Sequence, residues 1–182
     1  NTIEYMTIAH TGNSIDFGDL TSINVGPSGV SSQTRGLCFF GNTTPARSNG
    51  IDFVTISTLG NAADFGDSTT TGNHRGTAAN AVRGVTAGGN TDSGVINVIQ
   101  FVTIATLGNA EDFGDLTAAR AGFSGGCASR TRGVFAGGYT PSKTDAIDYV
   151  QIMSTGNGID FGNLAANNQY AAGCSNGHGG LG

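Results

Sequence analysis

Tryptophan is absent, proline and cysteine each occur three times in 182 residues, and charged residues make up only 12% of the chain. The sparse charge sums to −5, which leaves no basic footprint for a polyphosphate backbone and excludes nucleic acid as an expected partner. No apolar run approaches the roughly 18–20 residues a membrane-crossing helix needs, so no membrane insertion is expected. No charged-then-apolar leader opens the chain, and its start at Asn1 without a methionine reads as a processed product or a segment of something longer. Cys38, Cys127 and Cys174 show no CxxC spacing and are odd in number. They point to neither a zinc site nor a disulfide framework, and are expected to be small buried hydrophobes. With so little proline, and 37% apolar residues gathered into short β-branched and aromatic runs, the composition is not that of a disordered chain.

What is abundant is glycine, at 31 positions, and repetition. Asp16-Phe17-Gly18-Asp19 returns at 64–67, 112–115 and, as Asp160-Phe161-Gly162-Asn163, at 160–163, each time 48 residues on. A second register keeps step: Ile3 to Ile8, Ile51 to Ile56, Ile99 to Ile104 and Ile147 to Ile152, with Gly-Asn at 12–13, 60–61, 108–109 and 156–157 between the two. The Ile-x-aromatic-Val-Thr-Ile run is too short and too β-branched for a helix, and its apolar side chains fall on both faces, so it reads as a strand covered on both sides. Gly-Asn is read as the positive-φ turn of a hairpin whose next strand is Asp-Phe-Gly-Asp-Leu. Upstream stand a glycine-pair strand, as in Arg83 to Gly89 and Arg132 to Gly138, and a small-residue strand such as 122–129, where missing bulk lets backbones crowd near an axis.

Four short strands per 48 residues, needing cover on both faces and repeated four times, predict an all-β fold: a β-propeller of four-stranded antiparallel blades. The order of glycine-pair strand, variable loop, Ile-Asp-Tyr-Val strand, turn, aromatic-x-x-Leu strand and small-residue strand resembles the kelch repeat, with Phe17, Phe65, Phe113 and Phe161 where kelch blades usually place tryptophan. The wording Gly-Asn-Ala-x-Asp-Phe-Gly-Asp-Leu-Thr at 108–117 also resembles kelch-like repeats of tail-fibre-associated proteins from marine bacteriophages. Ser68 and the ending Gly179-Gly180-Leu181-Gly182 depart from the pattern. The expected blades are 24–68, 72–116 and 120–164, with a fourth split between 170–182 and 3–20 that closes the ring and removes its exposed sheet edges. The rival is an open arc completed by other residues or chains. The four phenylalanines are expected to be buried between blades.

No chemistry-bearing constellation stands out. The Asp pairs at 16/19, 64/67 and 112/115 resemble neither an EF-hand nor a glycine-rich calcium repeat, and a role repeated in every blade is normally structural. His10, His74 and His178 form no metal spacing. No catalytic residue, metal or cofactor is expected, and the chain does not read as an enzyme. Arg35, Arg83 and Arg132, in register with His178, either line one mouth of the ring and grip an acidic ligand or pair with repeated Asp residues. The loops 42–50, 90–97 and 139–146 differ while their flanking strands do not, so recognition would be written there, with Arg47, Tyr139 and Lys143 as candidates for a sugar ligand. What this reading and the resemblance imply is a non-enzymatic recognition or structural module of a phage tail fibre or other virion or extracellular surface assembly. Its partners would be other virion or surface proteins, a host surface glycan or further copies of itself. The alternative is a lectin-like propeller outside a virion.

Overall fold

The computed structural model describes residues 1–43, 46–123 and 126–174, and no described residue is helical. Three four-stranded antiparallel sheets follow one another along the chain. The first holds β3 (Ser28–Ser31), β4 (Arg35–Phe39), β5 (Gly50–Thr55) and β6 (Ala63–Asp67). The second holds β7 (Gly76–Ala79), β8 (Arg83–Thr91), β9 (Gly94–Thr103) and β10 (Glu111–Asp115), and the third β11 (Gly126–Ala128), β12 (Arg132–Ala136), β13 (Thr144–Gln151) and β14 (Ile159–Asn168). Ahead of them, β1 (Thr2–Tyr5) and β2 (Ile15–Asp19) form a hairpin equivalent to the last two strands of a unit. Strand order within each sheet is sequence order, an antiparallel meander compatible with the blades of a propeller.

The first strands crowd together as their small residues predict. A Cβ on Gly126 would come within 2.0 Å of the Thr77 carbonyl oxygen, and one on Gly84 within 2.6 Å of Val30. The apolar core lies between successive sheets, with Val30, Leu37, Phe65 and Val102 in one cluster and Val85, Phe101, Phe113, Phe135 and Val150 in the next.

The repeated Asp-Phe-Gly-Asp is a β-bulge. In every hairpin the pairing slips across the Phe-Gly step, as where Asp52 faces Asp64 and Ile51 faces Gly66, and the glycine takes a φ of +134° to +147° that a side chain disfavours. The bulge aims each phenylalanine edge-on at the aromatic of the neighbouring strand, at 5.9–6.1 Å between centroids in all four copies.

Gly-Asn does not make the hairpin turn. That turn comes earlier, closed by bonds such as Thr58 N–H to the Thr55 carbonyl and Thr106 N–H to the Thr103 carbonyl, both 3.1 Å. Gly-Asn instead docks on the preceding unit. Gly60 N–H donates to the Phe17 carbonyl and Ala62 N–H to the Asp19 carbonyl, each at 2.8 Å, while Asn61 Oδ1 accepts the Asp19 N–H at 3.0 Å. The same three bonds join 108–110 to 65–67 and 156–158 to 113–115. A second tie repeats beside them: Thr21, Thr69 and Thr117 each donate N–H and hydroxyl to Asp52, Gln100 and Asp148 of the following unit.

This interface is made three times and stops. Phe17, Phe65 and Phe113 are 8%, 3% and 2% exposed, whereas Phe161 is 54% exposed, contrary to the sequence expectation, because no unit among the described residues covers β14. A Cβ on Gly18, Gly66 or Gly114 would strike the carbonyl of the docked glycine, but neither Gly162 nor Gly12 has any such neighbour. The glycines docked at 60, 108 and 156 share φ near +150°, and Gly12 does not. Among the described residues the docking contact is thus made between successive units and not between β14 and the head hairpin. The strand expected to meet Ile3 to Ile8, near His178 to Gly182, lies outside the described residues. Cys38 and Cys127 are half-buried and Cys174 is exposed, which corrects the expectation of small buried hydrophobes, and burial pushes the Cys38 thiol up to about 11 with the Asp52 charge adding to the shift.

Gly114→Ala and Gly162→Ala suffer similar backbone strain, but only the former drives a methyl group into a docked loop. In urea unfolding at high dilution, Gly114→Ala should cost about 2 kcal/mol more than Gly162→Ala; equal costs would mean that the repeated interface contributes little.

Candidate binding site at the loop end of the sheets

Each sheet has two ends of different character. At one end lie the loops within the first and last hairpins of each unit; at the other lie the loop between its second and third strands and the connection to the next unit. Arg35, Arg83 and Arg132 stand at the first end. Arg35 Nη1 donates to the Ile104 carbonyl at 3.0 Å and Arg83 Nη1 to the Ile152 carbonyl at 3.2 Å, each reaching into the following unit. Each guanidinium also lies over its own unit's aromatic: Phe53, Phe101 and, for Arg132, Tyr149, at 4.1–5.0 Å. The expected repeated Asp partners are not what holds them; a carbonyl and a ring do. Among the described residues no further unit lies beyond Arg132 for it to reach.

Arg47, Tyr139 and Lys143 stand at the opposite end. Arg47 pairs with Asp92 of the next unit's loop at 2.7 Å, Tyr139 bridges Ala121 and Lys143, and Lys143 is exposed at the loop tip. The six candidates therefore do not form one site. Arg35 and Arg83 tie units together, Arg132 stacks only on its own unit's Tyr149, and the other three stand at the opposite end.

Residues that the sequence reading passed over lie in the connections between units. Gly26, His74, Gly122 and Tyr170 occupy one repeat position, all at φ between +55° and +69°. They form a backbone ladder in which His74 N–H donates to Gly26, Gly122 N–H to His74 and Tyr170 N–H to Gly122. Only glycine takes this conformation without cost, so His74 and Tyr170 are strained positions filled by functional side chain types. Their rings meet edge-on at 5.3 Å, and Tyr139 packs on Tyr170 at 6.1 Å. Partial burial and the Tyr139 hydroxyl push the Tyr170 phenol above its ordinary range.

Next to this aromatic group lies a buried polar cluster. Asn24 Nδ2, Asn42 Oδ1, Arg47 Nε, Asn73 Oδ1, His74 Nδ1 and Arg75 Nε and Nη1 are all buried without a hydrogen-bond partner in the protein. Backbone contacts hold them together: Asn24 Oδ1 accepts Gly41 N–H at 2.8 Å, and a Cβ on Gly41 or Gly89 would meet Asn73 or Arg75. Arg75 is 6% exposed, donates from Nη2 to the Thr70 carbonyl, and has no carboxylate at ion-pair distance among the described residues. Burial draws its guanidinium down to about 10. Since the folded value lies below the unfolded one, the cost of holding this charge is fully present at neutral pH and is relieved only as pH rises through that value. Arg120, fully buried, contrasts with it: Asp148 accepts its Nη2 at 2.6 Å and the Ala146 carbonyl its Nη1 at 2.7 Å. Burial lowers the Arg120 value too, with Asp148 opposing the shift.

Buried donors and acceptors with no partner cost about 1–3 kcal/mol each, so this cluster is a costly feature of the fold and marks the loop end as the candidate site. No group of three or more His, Cys, Asp or Glu able to hold a metal occurs among the described residues. Repeat alignment could have located this site: His74, Arg75 and Arg120 stand in columns shared with Gly26 and Gly122, with Pro27 and Phe123, and with Asn24 and Gly72.

Arg75→Met keeps the stem and removes the uncompensated charge, so it should raise stability by about 1–2 kcal/mol in urea unfolding. A loss of stability would show that the guanidinium has a structural partner. No protein-family model matches the chain, and no curated protein is detectably similar to it.

Proposed function

We propose that the chain is a non-enzymatic recognition or structural module built on kelch-like repeats, serving a phage tail fibre or other virion or surface assembly. Its blades would form a propeller whose fourth blade draws strands from both ends of the repeat array. The observation that carries the non-enzymatic reading is how the repeated polar groups are used. Asp52, Gln100 and Asp148 accept threonine donors from the preceding unit, the loop asparagines at 61, 109 and 157 accept strand N–H groups, and Arg35 and Arg83 donate to strand-end carbonyls. Groups so engaged hold units in register and are not free to exchange protons with a substrate. At the opposite end Asp92, Lys143 and Tyr170, which do not repeat, are exposed to a partner.

A second reading, a carbohydrate-binding propeller outside a virion, is favoured by one feature: the ring contacts of the exposed Tyr170 with Tyr139 and His74 at the loop end. Aromatic faces suit the apolar face of a sugar ring.

Two measurements test these readings. With Asp16, Asp64 and Asp112 exposed, chelation by EDTA should leave the melting temperature unchanged to within about 1 °C, and a fall of several degrees would make a bound metal part of the fold. On a glycan array, the lectin reading expects binding that Tyr170→Ala abolishes. Absence of any glycan signal, with retention on purified surface or virion proteins, favours the assembly reading.

A further inference from the structure

The uncovered ends of the repeat series match each other. At the tail, β14 presents Phe161, Gly162 and Asn163 in the bulged form that receives a docking loop three times elsewhere, with Gly162 at φ +134° and nothing above it. At the head, Gly12, Asn13 and Ser14 occupy the positions of the docking loops, and nothing lies within 4 Å of a Cβ on Gly12. Every backbone group of the repeated interface is present on the two surfaces, as is the asparagine that accepts the strand N–H. Only the threonine tie is lost, since Ala165 stands where Thr21, Thr69 and Thr117 stand and Glu4 takes the place of Asp52.

The head is also incomplete in a defined way. β5, β9 and β13 each pair on both sides, but among the described residues β1 pairs only with β2. An open cavity of about 400 Å³ lies between this hairpin and the first sheet, lined by Ile3, Leu20, Gly36, Leu37 and Phe53. Where a unit precedes, its first strand fills this place: Val30 packs on Gly84 and Ala78 on Gly133. Gly36, their counterpart, meets only Val54 of its own sheet. The occupant that fits is therefore the tail of another repeat series, with its bulged outer strand seated against Gly12 as β2, β6 and β10 are seated against Gly60, Gly108 and Gly156.

We propose that this occupant is a second copy of the chain, docked head to tail, with Phe161–Asn163 of one copy seated on Gly12–Ser14 of the next. Among the described residues no backbone hydrogen bond joins Phe161–Asn163 to Gly12–Ser14, so both surfaces can be met from outside. The contact is heterologous: it closes into a ring if the rotation between copies allows and otherwise propagates as a filament. This inference rests on the repeat-to-repeat docking assumed above for the fourth blade, and assigns the two ends that meet to different molecules.

Sedimentation velocity across a concentration series should show reversible association, and Gly162→Ala, whose methyl would strike the docked Gly12 carbonyl, should raise the half-association concentration by about tenfold or more. Association insensitive to Gly162→Ala, or none, overturns the proposal. In a Cys174→Ser background, a mixture of Asn13→Cys chains and Asn163→Cys chains should join through a short thiol-reactive cross-linker, while neither alone does. If the mixture fails to join but the doubly substituted chain cross-links within itself, the tail meets its own head; this overturns the second copy and leaves the four-bladed reading standing. If neither joins, both fall.

Discussion

A single hydrogen-bonded contact sets the geometry of the molecule: a loop glycine donating its N–H to the carbonyl of a bulged phenylalanine one unit earlier. For the loop to approach, the residue after that phenylalanine can carry no side chain, since a Cβ on Gly18, Gly66 or Gly114 would lie 2.3–2.6 Å from the docked backbone. For the phenylalanine to face the neighbouring aromatic, the strand must bulge, which again selects glycine at positive φ. One constraint thus explains Phe, Gly and the Gly-Asn of every repeat. Three hydrogen bonds at about 1 kcal/mol each and a buried phenylalanine at about 2–3 kcal/mol make each interface a sizeable share of a marginal total stability.

That same constraint marks what was legible in the sequence. Strand identity, the 48-residue unit and the crowding of first strands follow from periodicity and residue size, and the sheets agree with them. Gly-Asn was misassigned because a local rule, the two-residue hairpin turn, competes with a non-local use that no short window reveals. Phe161 was misassigned because burial of a repeat residue depends on whether a next unit is there, which its own sequence does not state. Arg35 and Arg83 repeat because they need a carbonyl and a ring at fixed offsets, and a carbonyl belongs to every residue type, so no partner residue could be read from the sequence.

The loop-end cluster was hidden for the opposite reason. Attention to what repeats discards the columns in which copies disagree, and Arg75, His74 and Arg120 lie in those columns. Arg120 has an acidic partner 28 positions away; Arg75 has none. Two buried guanidiniums in one fold, one neutralised and one not, cannot both be explained by packing. The fold tolerates the second at an energetic cost, and it does so where His74 and Tyr170 also occupy backbone conformations that favour glycine. Charge, strain and unpaired polar atoms coincide in the connections between units and nowhere else among the described residues.

Stability and recognition are thereby separated along the strand direction. At the first-hairpin end, arginines and loop glycines lock each unit to the next, and a change there propagates to every neighbour that shares the contact. At the loop end the units differ, so a substitution alters one copy's surface without disturbing the register set elsewhere. A repeat array built this way can vary its loops freely while its docking groups stay fixed. The same division accounts for the two ends of the series: Phe161 and Gly12 keep the side chains and glycines of the shared interface because that interface is a property of the unit and not of its neighbours. An exposed aromatic on a bulged strand and a vacant docking loop are what one unit presents wherever it meets no other.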